Sequence, residues 1–182
     1  MKSTYKKVAS SNISISELML PSHANFSGKI HGGYILSLLD QIAFACASKF
    51  SGNYCVTASV DTVDFLNPIE VGELVTMKAS VNYVGKSSMI VGIRVESENI
   101  QTGLVKHCNS SYFTMVSKDK DGANAMVPGL ILSTLEEVRR FENCLNQIAL
   151  KKEKKREKEM YNFCSEETIN RLEKHNVLIQ LD

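Results

Sequence analysis

The sequence predicts an α+β fold in which an antiparallel β-sheet wraps around one long central hydrophobic helix, followed by a C-terminal helical extension. Two observations carry this prediction. An apolar segment at residues 34–48 is long enough for a buried helix, and four extended segments with turn signals between them follow it. Long strands at hairpin spacing form antiparallel sheets, and a sheet curved around the helix would bury the apolar surfaces of both.

The segment before the helix predicts a strand and then an irregular loop. Residues 12–20 begin with apolar and polar residues in alternation, which is the period of a half-buried strand, and Pro21 ends this pattern. Residues 22–33 contain three glycines, whose backbone freedom is typical of a loop. We therefore expect the helix to begin near Gly33 and to be apolar on nearly every face through residue 48.

The four segments after the helix predict the remaining strands. In the first of them Val56, Ala58, Val60 and Val63 alternate with other residues, and Asn67-Pro68 closes the segment. Turns with polar residues or glycine separate the later segments from one another. The predicted strands occupy residues 54–66, 74–84, 88–98 and 103–117.

The composition changes after residue 122. A helical pattern of apolar residues runs from Leu135 to Ile148, residues 151–159 are all charged, and residues 166–175 favour one more short helix. The charged run mixes both signs, so we interpret it as a solvated helix rather than as a contact with nucleic acid or membrane.

Length and composition are those of one globular domain with an added terminal segment. The 182 residues are 43% hydrophobic with a formal net charge of +1, so no overall charge attracts nucleic acid. The longest apolar stretch, residues 35–47, is too short to span a membrane, and the polar amino terminus does not resemble a signal peptide. We therefore expect a cytoplasmic protein without a membrane span.

The cysteines predict neither disulfides nor a metal site. They are odd in number, scattered and mostly within apolar segments, and no pair has CxxC spacing. No two histidines lie three to five residues apart, so a structural zinc site has no support. We expect reduced core residues at Cys46, Cys55, Cys108, Cys144 and Cys164.

Asp40 is the most informative candidate for chemistry because it is the one charge in the apolar helix. A buried carboxylate is costly unless it is paired or used in catalysis. A carboxylate at a subunit interface, capped by backbone amides, is an alternative interpretation of equal weight for an isolated aspartate. The neighbouring residues favour the catalytic role.

The start of the helix offers groups that complement Asp40. Gly33 precedes Asp40 by two helical turns, and free N–H groups there can hold a carbonyl oxygen. Gly32 lets a substrate approach the backbone, although a glycine pair at such a junction is more often only a turn. Asn25 can align a water molecule or form an Asx-turn. His31 has the chemistry of a base, but we interpret it as a hydrogen-bond partner beside the site.

The turn formed by Gly85, Lys86, Ser87 and Ser88 connects two predicted strands. An ordinary hairpin turn is the simpler interpretation. The functional alternative is a site for the phosphates of a nucleotide-bearing ligand, through backbone amides, hydroxyls and the one lysine.

Three segments together resemble the hotdog-fold acyl-CoA thioesterases of the group that includes the brain-type acyl-CoA hydrolases. They are LPSHANFSGKIHGG at residues 20–33 with Leu38-Leu39-Asp40 after it, VDTVDFLNPI at residues 60–69, and VGKSSM at residues 84–89. The similarity covers residues 10–122, which we assign to a hotdog thioesterase domain, and leaves residues 123–182 as a charged helical extension.

The resemblance implies a five- or six-stranded sheet, dimers that extend it, often hexamers of three dimers, and active sites at the dimer interface. It implies hydrolysis of fatty acyl-CoA to free fatty acid and CoA, with no cofactor beyond the CoA of the substrate and no metal. Asp40 is then the general base or nucleophile, Asn25 places thioester or water, and the Gly33 amide polarises the carbonyl. His31, Gly32 and the turn from Gly85 to Ser88 would contact substrate or CoA.

Two alternatives stay open at this point. Some hotdog proteins are dehydratases that use a histidine and an acid, and His31 with Asp40 has that chemistry. A non-catalytic protein could hold acyl-CoA in the same groove. The segment from Asn25 to Gly33 resembles the thioesterase branch, and the presence of both Asn25 and Asp40 argues against a protein that only binds.

Overall fold

The computed structural model describes residues 4–61, 63–160, 166–172 and 175–180. Single 3-10 turns follow β1 and precede α1. The described elements are β1 (Tyr5–Lys7), β2 (Ile13–Leu18), α1 (Gly32–Ser51), β3 (Tyr54–Val60), β4 (Asp64–Phe65), β5 (Leu74–Val84), β6 (Ser88–Glu98), β7 (Val105–Lys118), β8 (Gly129–Ile131), α2 (Leu135–Met160) and α3 (Glu166–Leu172).

One antiparallel sheet of six strands forms the body of the fold. Its strand order is β2-β5-β6-β7-β3, with β4 paired to β7 beside β3. The strands β1 and β8 form a separate parallel pair. The sheet therefore ends in the short strand β2 on one side and in β3 on the other.

The helix α1 packs against one face of this sheet and supplies the centre of the core. On β5 the buried side chains alternate through Val75, Met77, Ala79 and Val81, as expected for a strand with one face on the core. The buried helix residues are Ile35, Leu38, Leu39, Ile42, Ala43, Cys46, Ala47 and Phe50. The prediction of a sheet wrapped around a long central helix is confirmed.

The ends of α1 show why the helix begins and ends where it does. The His31 side chain caps the first turn by accepting a hydrogen bond from the Gly33 N–H. At the other end Gly52 adopts the left-handed conformation at φ 78°, and its N–H bonds the Ser48 carbonyl at 2.9 Å. The helix is longer than the predicted residues 34–48 because a left-handed glycine, rather than the last apolar residue, ends it.

The expectation that α1 is apolar and buried on nearly every face is wrong for the single chain. One stripe of the helix is exposed, at Leu36, Ser37, Asp40, Gln41 and Phe44. These positions recur at helical spacing, so they share one face. The sheet covers the rest of the helix and leaves this face open.

The strand pattern differs from the sequence prediction in two places. The predicted strand 54–66 is two strands, and in β3 the buried residue is Cys55, whereas Ala58 and Val60 are exposed. The strands β1 and β8 were not predicted because each has only three residues. The boundaries of β5 and β6 are as predicted because turns with glycine define both.

Contacts divide the chain into one compact unit through Cys144 and a second from Leu145. Residues 129–131 of the predicted extension belong to the first unit, where β8 pairs with β1. In the second unit α2 continues through the charged run to Met160. The predicted helix at 166–175 is described for Glu166–Leu172. Four cysteines are free and buried, and Cys164 lies outside the described residues.

Candidate active site

Asp40 lies on the exposed stripe of α1, facing the edge strand β3. Its Oδ1 accepts a hydrogen bond of 2.6 Å from the Thr57 Oγ1 hydroxyl. A hydrogen bond to an ionised carboxylate stabilises it and fixes its orientation. Within one chain Asp40 is exposed, so its charge carries no cost of burial there.

Thr57 is a site residue that the sequence did not reveal. It precedes a β-bulge, since the pairing of β3 with β7 shifts register between Thr57 and Ser59. Bulges change the direction of neighbouring side chains and are frequent beside active sites. Cys55, two residues earlier, is buried, so strand alternation places Thr57 on the same helix-facing side. The apolar alternation in the sequence runs through Val56 and Ala58, so it predicted that the opposite face of β3 is the buried one.

The backbone amide of Gly33 is engaged with His31 in this structure. Its N–H donates to His31 Nδ1 at 2.9 Å, and both residues are exposed. A Cβ at residue 33 would stand 2.8 Å from His31 Cε1, so glycine lets the ring lie over the amide. The imidazole therefore occupies the acceptor position of the Gly33 amide.

Phe65 forms a wall beside the start of α1. A Cβ at Gly32 would meet the Phe65 ring at 3.3 Å, and the ring itself is half exposed. The strand β4 that carries Phe65 is held by the buried Asn109, whose Nδ2 donates to the Asp64 carbonyl at 2.8 Å. Ser111 donates in turn to Asn109 Oδ1. Phe65 was not predicted as a site residue because an apolar side chain next to Leu66 carries no chemical signal of its own.

Asn25 forms the Asx-turn that was the alternative to a catalytic role. Its Oδ1 accepts hydrogen bonds from the Ser27 N–H at 2.9 Å, the Ser27 hydroxyl at 2.7 Å and the Lys29 N–H at 3.2 Å. These bonds shape the loop and fix the direction of the side chain. The amide nitrogen of Asn25 is the part of the side chain that these bonds do not use.

An ion pair and a backbone hydrogen bond anchor the Asn25 loop to the segment before β5. Lys29 Nζ contacts Glu70 at 2.5 Å, and the Ile30 N–H donates to the Ile69 carbonyl at 2.9 Å. Glu73, which is 6% exposed, accepts from the Glu70 N–H at 2.9 Å. Glu73 also accepts a hydrogen bond from the Ser97 hydroxyl and forms an ion pair with Lys106 Nζ at 2.9 Å.

The balance of these contacts decides the ionisation of Glu73. Burial raises its pKa, but hydrogen bonds from the Glu70 amide, Ser97 and Lys106, together with the Lys106 charge, outweigh burial and hold the pKa below the ordinary value. An ionised Glu73 thus fixes the turn on which the Asn25 loop rests.

The turn from Gly85 to Ser88 closes the hairpin between β5 and β6. The Gly85 N–H donates to the Ser88 carbonyl at 2.8 Å, and a Cβ at Gly85 would stand 2.9 Å from Ser88 Oγ. The Ser87 carbonyl accepts from the Ser117 N–H at 2.8 Å, and the Lys86 side chain is exposed. The hydrogen bond from Ser117 of β7 holds the turn in place, and the Lys86 ammonium group faces solvent.

The structure brings together some of the predicted residues and not others. Gly33 bonds His31, and Gly32 lies against Phe65. Within the described ranges, no hydrogen bond joins Asn25 or the Gly85 turn to Asp40. No cluster of metal-binding side chains occurs among the described residues. None of the helices in that part of the chain is both long and apolar enough to cross a membrane.

A curled antiparallel sheet around one long helix that presents a carboxylate defines a protein of the hotdog class. A sequence profile of the "Thioesterase superfamily" matches residues 27–104. The chain is 44% identical to "Protein VdlD" of Helicobacter pylori, over 73% of this chain and 76% of that one. It is 33% identical to the "Uncharacterized acyl-CoA thioester hydrolase YkhA" of Bacillus subtilis, over 76% and 80%. The human "Cytosolic acyl coenzyme A thioester hydrolase" is 31% identical over 74% of this chain and 36% of its own length.

Solved structures show the same similarity. An apo-hexameric acyl-CoA thioesterase superposes with a TM-score of 0.81 at 34% identity, covering 83% of this chain and 97% of that one. An acyl-CoA hydrolase from Staphylococcus aureus, solved with butyryl-CoA, CoA and CoA disulfide, gives 0.78 at 28% identity, with coverage of 86% and 95%. Other structures of that enzyme are alanine variants of an aspartate, a threonine and an asparagine. This chain belongs to the acyl-CoA thioester hydrolases of the thioesterase superfamily, which have the hotdog fold.

Proposed function

We propose that the chain hydrolyses fatty acyl-CoA to a free fatty acid and CoA, with Asp40 as general base or nucleophile. The observation that carries this assignment is the Thr57 hydroxyl bonded to Asp40 on an exposed face of the central helix. An oriented carboxylate beside open space can activate water or attack a carbonyl carbon. The alanine variants of an aspartate, a threonine and an asparagine in the S. aureus enzyme support the choice of these three residue types.

The reaction needs only the thioester and water. In the general-base form Asp40 takes a proton from water as the water oxygen attacks the carbonyl carbon. The C–S bond then breaks, and the CoA thiolate leaves and takes up the proton. No cofactor is required for this chemistry, and CoA enters only as part of the substrate.

The Gly33 amide is the proposed donor to the carbonyl oxygen. It becomes available when the His31 ring rotates away from its present hydrogen bond of 2.9 Å. The N-terminal end of α1 carries positive dipole character, which stabilises the negative charge that develops on that oxygen. We assign Asn25 to placing the thioester or water through its amide nitrogen, because its oxygen is held in the loop.

We propose that the active site is completed by a second copy of the chain. The exposed stripe on α1 includes Leu36 and Phe44 on either side of Asp40, which is an apolar surface around a functional group. The edge of β3 beside it is exposed from Thr57 to Val60, so a partner strand can extend the sheet there. The hexameric thioesterase that superposes on the chain supports a trimer of such dimers.

The nucleotide end of CoA is proposed to bind at the turn from Gly85 to Ser88. The exposed Lys86 supplies one cation, and Ser87 and Ser88 supply hydroxyl groups. His31 and Gly32 then contact the thioester end of the substrate. The human relative is named a cytosolic enzyme, which supports a cytoplasmic location for this chain.

The test is an assay of thiol release with a panel of acyl-CoA substrates from acetyl-CoA to palmitoyl-CoA. Hydrolysis by the wild-type chain, lowered on the order of a hundredfold or more in Asp40→Asn, supports the proposal. Binding of acyl-CoA without thiol release would indicate a binding protein. Loss of water from a 3-hydroxyacyl-CoA with the thioester intact would indicate a dehydratase.

A further inference from the structure

The outer face of the main sheet carries a groove that is separate from the surroundings of Asp40. The groove has a volume of about 650 Å³ and lies between the strands β2, β5, β6 and β7 and the first turns of α2. On β5 the buried residues that face α1 alternate with Lys78 and Ser80. Because successive side chains of a strand point to opposite faces, the groove lies on the face away from α1.

Positive charge dominates the sides of this groove. The cationic side chains that line it are Lys78, Arg94, Arg139 and Arg140. Glu96 pairs with Lys78 at 2.6 Å and with Arg94 at 2.8 Å, and Glu136 pairs with Arg139 at 2.6 Å and with Arg140 at 2.8 Å. Four cations against two carboxylates leave an excess of two positive charges.

The carboxylates of Glu96 and Glu136 stay ionised and orient the arginine side chains beside them. Hydrogen bonds from Lys78 and Arg94 lower the pKa of Glu96 to about 2, and those from Arg139 and Arg140 lower the pKa of Glu136 to about 2. Among the described residues, Arg94 and Arg140 each use only Nε in these pairs, and their terminal N–H groups have no protein acceptor. These groups stay available for a ligand, and guanidinium groups suit phosphate and carboxylate oxygens.

The floor of the groove holds a buried amide with an unused donor. Asn82 is 5% exposed, and its Oδ1 accepts the Ser80 hydroxyl at 3.0 Å. Its Nδ2 makes no hydrogen bond within the described part of the chain and is not fully enclosed by protein, so it can donate to a ligand in the groove. The Asn82 side chain fits against residue 92 because that residue is glycine, where a Cβ would stand 2.1 Å from Asn82 Nδ2. The amide donor and the cations line the same groove.

We propose that this groove binds a small molecule that carries two phosphate or carboxylate groups. One anionic group contacts Lys78 and the terminal N–H groups of Arg94 on the sheet, beside Glu96, and the other contacts Arg139 and Arg140 on α2. Asn82 donates from the floor, and Tyr112 also lines the groove. The volume is within the range of small-molecule sites. The site is distinct from the proposed site of hydrolysis because it lies on the opposite face of the sheet.

Isothermal titration calorimetry of the full chain with inorganic pyrophosphate at low salt tests the proposal. We expect saturable binding of one pyrophosphate per chain, weakened at least about tenfold in Arg94→Gln/Arg140→Gln. The matched control Lys7→Gln/Lys120→Gln removes the same charge at exposed positions outside the groove, and should bind within about twofold of wild type. Absence of saturable binding by the wild-type chain, or equal weakening in both double variants, overturns the proposal.

A second ligand and two further variants identify the kind of anion that binds and control for misfolding. Succinate in place of pyrophosphate distinguishes a dicarboxylate ligand from a diphosphate, and tight binding of either one supports the site. Asn82→Asp keeps the side-chain volume and puts a negative charge on the floor, so it should abolish binding with the circular dichroism spectrum unchanged. If the double variant fails to fold, Arg140→Gln alone serves, because that side chain is 43% exposed on a helix.

Hydrolysis of butyryl-CoA by the same variants separates this site from the proposed function. The double variant should keep kcat and KM within about twofold of wild type, since the groove is remote from α1. A KM for butyryl-CoA raised more than about tenfold would show that the groove holds the phosphates of CoA, and would contradict a separate site.

Discussion

Thr57 Oγ1 donates a hydrogen bond of 2.6 Å to Oδ1 of Asp40, which joins the edge strand β3 to the central helix α1. The two residues are seventeen positions apart in the sequence, and a β-bulge follows Thr57 directly. A bond of this kind fixes one oxygen of the carboxylate and leaves the other free.

Asp40→Asn removes the base or nucleophile and leaves the side-chain volume nearly unchanged. We expect kcat for acyl-CoA hydrolysis to fall on the order of a hundredfold or more, with the oligomer intact by light scattering. Gln41→Ala, on the same exposed stripe, is the matched control and should keep near wild-type turnover. A folded Asp40→Asn protein with wild-type kcat would remove Asp40 from the mechanism.

Thr57→Val deletes the hydroxyl and keeps the shape of the side chain. Because the lost hydrogen bond goes to a charged acceptor, we expect kcat to fall by about tenfold. Thr57→Ser retains the hydroxyl and should recover most of the activity, whereas a role in packing alone would leave Val better than Ser. Steady-state kinetics with butyryl-CoA distinguish these results.

Lys86→Ala removes the exposed cation of the turn between β5 and β6. We expect KM to rise roughly threefold to tenfold with kcat unchanged, because one charge-assisted contact to a partly solvated phosphate is lost. The effect should shrink as salt rises. Lys120→Ala, an exposed lysine in another turn, is the control. A lowered kcat at unchanged KM would place Lys86 elsewhere in the reaction.

Mixing Asn25→Ala chains with Asp40→Ala chains tests whether each site is shared between two copies. A hybrid dimer pairs the intact Asn25 of one copy with the intact Asp40 of the other, so one of its two sites is whole. Random re-association makes about half of the dimers hybrid, and about a quarter of wild-type activity should return.

Co-expression or joint refolding ensures exchange in this experiment, and mass spectrometry verifies the hybrids. Verified hybrids with no more activity than the two single variants together would show that Asn25 and Asp40 act within one chain.

Glu73→Gln tests the buried anchor under the Asn25 loop. Because the pKa of folded Glu73 is held below its ordinary value of 4.5, its ionisation stabilises the fold above that pH. This stabilisation is lost as pH falls from about 4.5 through the lowered pKa. We expect the variant to lose about 2 kcal/mol of unfolding free energy at pH 7.

The difference in unfolding free energy between wild type and Glu73→Gln should therefore become smaller as the pH is lowered. Urea unfolding at pH 7, 5, 4 and 3 measures it. Glu142→Gln, an exposed glutamate on α2, is the control and should follow wild type at every pH. A gap that stays constant between pH 7 and 3 would show that the charge of Glu73 does not contribute.

The sequence by itself determined the central helix, the long strands β5 and β6 and the family. Apolar periodicity and glycine turns are local signals, and the segments at residues 20–33, 60–69 and 84–89 carry the resemblance. Asp40 was found for a similar reason, since one charge in an apolar helix is visible without coordinates. The cost of burying that charge was the wrong argument for it, because the residue is exposed in the single chain.

Only the tertiary structure decided which residues meet. Thr57 reaches Asp40 because a bulge and the curl of the sheet bring β3 to the helix, and Phe65 covers Gly32 because the buried Asn109 holds β4. The cationic groove assembles residues from four strands and α2. Contacts between segments far apart in sequence depend on register and on the curvature of the sheet, and no periodicity within one segment encodes either.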